Sequence, residues 1–230
     1  MNIFTQAYNY AVENTTDLLA ATQEHLFLVL VPMLIGLLLG LPLGLLSARS
    51  RLASVALINT FNGLRVMPSL AILFLAIPYF GLSFQSAIIA LTLLVMPPIL
   101  ISTDIAFRSI DPMIREAAYG MGMDNRQVLW QVEVPLALPV VLTGIKTAMV
   151  EVIASATLAA FIGAGGLGIF IVRGFALYDN AILLVGAIPV ALLALLAELC
   201  LNTLQKTVQP FQGDRSKTIF SSLGSPGNRR

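Results

Sequence analysis

The chain has 230 residues but only one cysteine, one histidine and one tryptophan, and 11% of its residues are charged. Each scarcity removes a class of chemistry. Cys200, alone in an apolar run, supplies neither a disulfide framework nor a cysteine metal site. His25 alone cannot furnish the ligand clusters of zinc hydrolysis or haem, and it has no plausible triad around it. At the edge of the first apolar run it reads instead as an interfacial anchor. A net charge of +1 leaves no concentrated basic face for nucleic acid. No Gly-Lys-Ser or Gly-Lys-Thr occurs, so there is no Walker A loop, and any ATP chemistry has to come from another chain. What is abundant is apolar surface: 57% hydrophobic residues and a mean hydropathy of +0.88. Soluble domains carry about 25% charged residues, so the composition points to lipid as the solvent.

A membrane helix needs roughly 20 mainly apolar residues. The segments that qualify are Leu26 to Leu46, Val55 to Tyr79, Phe84 to Phe107, Leu138 to Ile162 and Ala181 to Leu204. The second is marked by Asn59, Asn62 and Arg65 in its first half. About five transmembrane helices make this an all-α membrane protein with its ends on opposite sides. Basic residues follow the first span (Arg49, Arg51), the third (Arg108, Arg115, Arg126) and the fifth (Lys206, Arg215, Lys217, Arg229, Arg230). The other side has only Arg173 and the acidic Glu13, Asp17 and Glu24. The positive-inside rule therefore predicts the N-terminus outside and the C-terminus cytoplasmic.

No basic residue precedes Arg49, so the start lacks the n-region of a secretory signal. Residues 1–25 read as an external segment carrying a short surface helix. Residues 26–208 form the transmembrane domain. Residues 209–230, rich in Ser, Gly and Arg, read as a disordered cytoplasmic tail. In the first span Gly36, Gly40 and Gly44 recur every four residues, which puts them on one face and predicts close packing with another helix.

One polar island interrupts the apolar pattern, from Asp111 to Pro135, on the cytoplasmic side. Asp111-Pro112 is a helix start, with Asp as cap and Pro in the first turn. Gly120 and Gly122 interrupt the helix, and a second short amphipathic helix follows Asp124, anchored by Trp130. Such a helix pair either caps the bundle or docks something soluble.

Glu116-Ala117-Ala118, three residues, Gly122, nine residues, then Val132-Glu133-Val134-Pro135 resembles the EAA signature of binding-protein-dependent ABC importer permeases. The resemblance covers roughly Leu26 to Val208. It implies a type I ABC importer permease (MetI-like) fold in a bacterial or archaeal cytoplasmic (inner) membrane. It also implies that the loop, through Glu116, Ala117, Ala118, Gly120, Gly122 and Pro135, docks a separate ATPase subunit. ATP and magnesium would then be bound by that ATPase, with no cofactor and no catalytic residue in this chain. A second permease subunit and an external substrate-binding protein would complete the machine.

A narrower resemblance is to osmoprotectant permeases, the glycine betaine, carnitine and choline group. It is carried by Val66-Met67-Pro68-Ser69-Leu70-Ala71, by Ile110-Asp111-Pro112 with the loop that follows, and by the stretch from Ala156 to Gly168. Two positions differ: Arg65 and Asp104 place charges where that group carries neutral residues. Methionine-type permeases share the loop but match these stretches less well. An ion-coupled secondary transporter would show paired internal repeats, and none is visible.

Gly163-Ala164-Gly165-Gly166-Leu167-Gly168 fits G-x-G-x-x-G literally, but it closes a membrane span and Asp179 follows too soon for a dinucleotide fingerprint. Gly163, Gly165, Gly166 and Gly168 read instead as a gate or hinge near the outer side. Arg65, Asp104 and Glu151 are the ionisable residues nearest the apolar interior. A charge at mid-bilayer costs about 2.5–3.5 kcal/mol, so each must face protein or water. Either they line the solute path with Pro68 and Ser69, Arg65 steering a carboxylate, or Arg65 neutralises Asp104 or Glu151 and ties helices together.

Overall fold

The computed structural model describes residues 2–208, and among these every regular element is helical. The predicted disordered tail at 209–230 lies outside the described residues. The chain runs as α1 (Ile3–Glu13), α2 (Thr15–Arg49), α3 (Arg51–Val66), α4 (Ser69–Phe80), α5 (Phe84–Arg108), α6 (Pro112–Gly120), α7 (Asn125–Gln127), α8 (Val134–Ala156), α9 (Gly168–Leu177) and α10 (Asn180–Val208). A π-helical turn (Val128–Glu133) joins α7 to α8, and a 3-10 turn (Thr157–Ile162) ends α8. Four helical rods are long and apolar enough to cross a membrane, and the α3–α4 pair makes up to five.

Three sequence expectations change. The helix of the first span is longer than its apolar run from Leu26: α2 starts at Thr15, because Ala21, His25 and Leu28 continue its buried face toward the N-terminus. His25 is therefore no interfacial anchor but fully buried, with neither ring nitrogen hydrogen-bonded. The second span is not one rod. Pro68 forces Met67 into extended backbone (φ −74°, ψ 132°), and α3 and α4 meet at a 100° bend. Finally, the second hairpin helix is not short. It continues without interruption into the fourth span as one 38-residue rod, Asn125–Ile162.

α5 is the axis of the bundle, buried along most of its length between α2 and α8. The glycine stripe of α2 lies on it: a Cβ at Gly36 would overlap Val95, at Gly40 it would meet Ile99, and at Gly44 Thr103. From the other side Gly144 of α8 packs on Ser102 and the Pro98 carbonyl. With no apolar driving force between helices in lipid, such close backbone approach is what holds them. Hydroxyls cover carbonyls along α5: Ser102 donates to Pro98 O (2.6 Å) and Thr103 to Ile99 O (2.7 Å). α1 folds back on α9 and α10 through Ala7, Phe170, Ile182 and Val185.

This packing separates Gly44, in the stripe of α2, from Gly63 of α3. A Cβ at Gly44 would lie 2.7 Å from the Leu100 carbonyl, whereas nothing lies within 4 Å of one at Gly63. Gly44→Ala is expected to lower the thermal unfolding midpoint of the purified protein, overpacking costing about 1–3 kcal/mol. Gly63→Ala is expected to hold or raise it, since Ala favours a helix by about 1 kcal/mol.

Candidate functional site

The polar hairpin is built by local rules. The Asp111 carboxylate accepts the Met113 N–H (2.9 Å) and caps α6. α6 ends in a Schellman turn: Met123 N–H reaches Ala118 O, Gly122 N–H reaches Tyr119 O, and Gly122 takes φ +85°. Gly120 is the last residue of α6 rather than a break within it. Asp124 and Gln127 form a reciprocal capping box at 2.8 and 2.9 Å. The result is a rigid, strongly capped knob. It presents Met113 (73% exposed), Met121 (74%) and Tyr119 to the surface, with Glu116 and Ala117 also exposed between them. Apolar residues rimmed by polar ones mark an interaction surface.

What fixes this knob to the bundle is Glu133, a residue the sequence reading passed over as a spacer inside the motif. Its side chain is 1% exposed and takes two guanidinium groups. Arg115 of α6 donates from Nε at 2.6 Å and also reaches the Phe107 carbonyl at 2.6 Å. Arg49, the last residue of α2, donates to the other carboxylate oxygen. Glu133 can face both because it ends the π-helical turn, in which Val134 N–H bonds five residues back to Leu129 O. Pro135 follows at once and has no N–H to offer the preceding turn, which favours the widened geometry. Beside it, buried Asp104 accepts from Ser47 (2.6 Å) and pairs with Arg108 (3.0 Å), whose guanidinium also reaches the Ser47 carbonyl (2.7 Å). Asp104 thus ties α2 to α5 and is not brought to Arg65.

Arg65 and Glu151 do come together, on a cavity of about 260 Å³ at the α3–α4 bend. Its walls include Met67, Ser69, Leu93, Leu94, Pro97 and Ser155. Pro68, the N-cap of α4, makes the bend itself.

At the far end of α2, about 38 Å from Arg49 by helical rise, lies the glycine-rich loop. Gly163, Gly165 and Gly166 all have positive φ. The Glu24 carboxylate accepts the Gly166 N–H at 2.9 Å and occupies the space a Gly165 Cβ would need. Gly166 rests on Leu28 and His25, and Gly168 on the Thr157 carbonyl. Among the described residues no cluster of His, Cys, Asp and Glu could hold a metal ion.

An all-helical bundle of apolar rods, with a capped polar knob at one end and a cavity lined by Arg65 and Glu151, has the architecture of a membrane permease. The chain belongs to the family described as binding-protein-dependent transport system inner membrane component, whose model matches residues 40–212. It is 42% identical to a carnitine transport permease protein of Listeria monocytogenes over 86% of this chain and 91% of that one. It is 35% identical to a glycine betaine/carnitine/choline transport system permease protein of Bacillus subtilis (89% and 94% covered). To an osmoprotectant import permease protein of Salmonella typhimurium it is 36% identical (88% and 96%). Among solved structures, an inward-facing methionine ABC transporter matches with a TM-score of 0.76 over 85% of this chain and 97% of that one. At 23% identity that likeness establishes the fold alone.

The clamp gives a direct prediction. Glu133→Gln removes the charge shared by Arg49 and Arg115, and hydrogen bonds to charged groups contribute about 1.5–3 kcal/mol. Hydrogen exchange is expected to accelerate across 112–127 and the unfolding midpoint to fall. Glu116→Gln, at an exposed position with no hydrogen-bond partner among the described residues, is expected to leave both unchanged.

Proposed function

We propose that this chain is the membrane permease of an ATP-driven importer for a small osmoprotectant of the glycine betaine, carnitine or choline kind. The observation that carries this is the hairpin: an exposed Met113–Tyr119–Met121 surface on a capped helix, clamped to two spans through Glu133. A surface of this kind needs a soluble partner to cover it, and the relatives named above are permeases of osmoprotectant transport. Likeness to the methionine transporter extends to the fold and does not favour an amino acid.

In this reading the hairpin and C-terminus lie in the cytoplasm of a bacterium or archaeon, and the N-terminus lies outside. Two permease subunits pair around the solute path. ATP and magnesium belong to separate ATPase subunits, and this chain carries no catalytic residue. Closure of those ATPases on ATP pushes the hairpin, through Glu116, Ala117, Ala118, Gly120, Gly122 and Pro135. Because Arg115, Glu133 and Arg49 join the hairpin to α2, the push reaches the rods as a tilt rather than a local flexing of the loop. The path runs past Arg65, Pro68, Ser69 and Glu151, while Asp104 holds α2 and α5 together during the movement. At the outer end Gly163, Gly165, Gly166 and Gly168 form the hinge, with Glu24 as its latch. An external binding protein delivers the solute there.

Gly122 offers a test confined to the docking end. Its φ of +85° disfavours any L side chain by about 1–2 kcal/mol, or about tenfold in an equilibrium. Gly122→Ala is expected to reduce ATPase co-purification and ATP-driven uptake of glycine betaine by about that factor, with the permease still present in the membrane. Undiminished co-purification and uptake in both Gly122→Ala and Glu116→Lys would contradict the docking role.

A further inference from the structure

The cavity at the α3–α4 bend has a charge arrangement that selects among solutes. Arg65 reaches it from α3 and Glu151 from α8, with Leu93, Leu94 and Pro97 of α5 between them. Opposite charges lining one cavity would ordinarily collapse into an ion pair. Here they do not: among the described residues the ion pairs are Arg49–Glu133, Arg108–Asp104 and Arg115–Glu133, and neither Arg65 nor Glu151 takes part in any. The wall between them is not inert. Pro97 and Pro98 have no N–H, so the carbonyls of Leu93 and Leu94, both residues of the wall, lose their helical donors. Ser69, at the start of α4, adds a hydroxyl donor near the Arg65 side.

We propose that this cavity is a transient binding site for a compact zwitterion, with its carboxylate on Arg65 and its cationic nitrogen on Glu151. The proposal rests on the importer reading above and names the solute class of its path. Three physical points support it. A charge away from bulk water is stable only when compensated. A zwitterion compensates both side chains at once, whereas a plain cation leaves Arg65 unmatched beside a second positive charge. Size agrees: drug-sized ligands occupy about 300–1,000 Å³, and 260 Å³ suits a solute smaller than these. The contacts are few, so the site holds solute weakly, as a conducting path requires.

Saturation-transfer NMR on the permease–ATPase complex in lipid nanodiscs, without binding protein, tests this with glycine betaine and choline as probes. Both carry N-methyl protons, and only glycine betaine carries a carboxylate. The unmodified complex is expected to bind glycine betaine about tenfold more tightly than choline, the loss of one charge-assisted contact. Arg65→Gln is expected to abolish that preference by weakening glycine betaine alone, and Arg65→Lys to restore part of it. Glu151→Gln is expected to weaken both probes. No signal in the unmodified complex, equal affinity for the two probes, or parallel losses of both in Arg65→Gln would overturn the proposal. ATP-driven glycine betaine uptake by the complete importer in proteoliposomes is measured alongside. Uptake without binding in the nanodisc complex removes the cavity site and leaves the importer standing, whereas absence of uptake by the complete unmodified system removes the importer reading itself.

Discussion

Glu133 is the joint on which the molecule turns, because its carboxylate joins the hairpin, the first long helix and the start of the fourth span in one interaction. A carboxylate at 1% exposure is costly unless compensated. Here compensation comes from two guanidinium groups that belong to different elements, Arg49 at the end of α2 and Arg115 on α6. Removing either cation therefore does more than weaken a contact: it leaves the buried charge under-compensated and frees one element from the others. The partly exposed arginines stay hydrated on their outer faces, which lowers the cost of assembling the cluster. Around it the Asp104–Arg108–Ser47 group repeats the device, so the hairpin end of the bundle is held by polar ties. The rest of the bundle is held by close packing.

That division suits a machine worked from one end. Along α5 the glycines of α2 and α8 bring backbones together with little side chain between them, which makes the rods move as a packed unit. Two bends lie on the rods themselves or at their outer end. One is the 100° bend at Met67 and Pro68, where the charged cavity opens. The other is the run of positive-φ glycines seated on Glu24, His25 and Leu28. On the function proposed above, a displacement entering at α6 is carried along the rods to these two bends.

Much of this was legible in the residues. Apolar runs located the rods because lipid imposes helix on any spanning segment, and the Gly36–Gly40–Gly44 spacing announced the face that meets α5. Asp111, Gly122 and the Asp124–Gln127 pair act through their own backbone neighbours, so the hairpin's caps could be read locally. What escaped depends on contacts distant in sequence. His25 looked like an interfacial residue because polar Gln23 and Glu24 precede it, but Glu24 serves the glycine loop more than a hundred positions away, and helix α2 simply continues through both. The bend at Pro68 was hidden because hydropathy sums over a kink. For Asp104 and Glu133 the partners were not legible: a charge in an apolar run announces that it needs a partner without saying which. The one available clue to Glu133 was its position two residues before Pro135, where a widened turn re-aims a side chain.

On the function proposed above, this permease is driven by a separate ATPase seated on the Met113–Tyr119–Met121 surface. Site-specific photo-crosslinking in membranes that contain the whole importer tests it directly, with the photoreactive residue placed at Met113, at Met121 or at Phe175, an exposed position on α9 far from the hairpin. Crosslinks to the ATPase are expected from positions 113 and 121 and none from 175. An ATPase captured from 175, or hairpin positions that capture none while the importer transports normally, would contradict that seating.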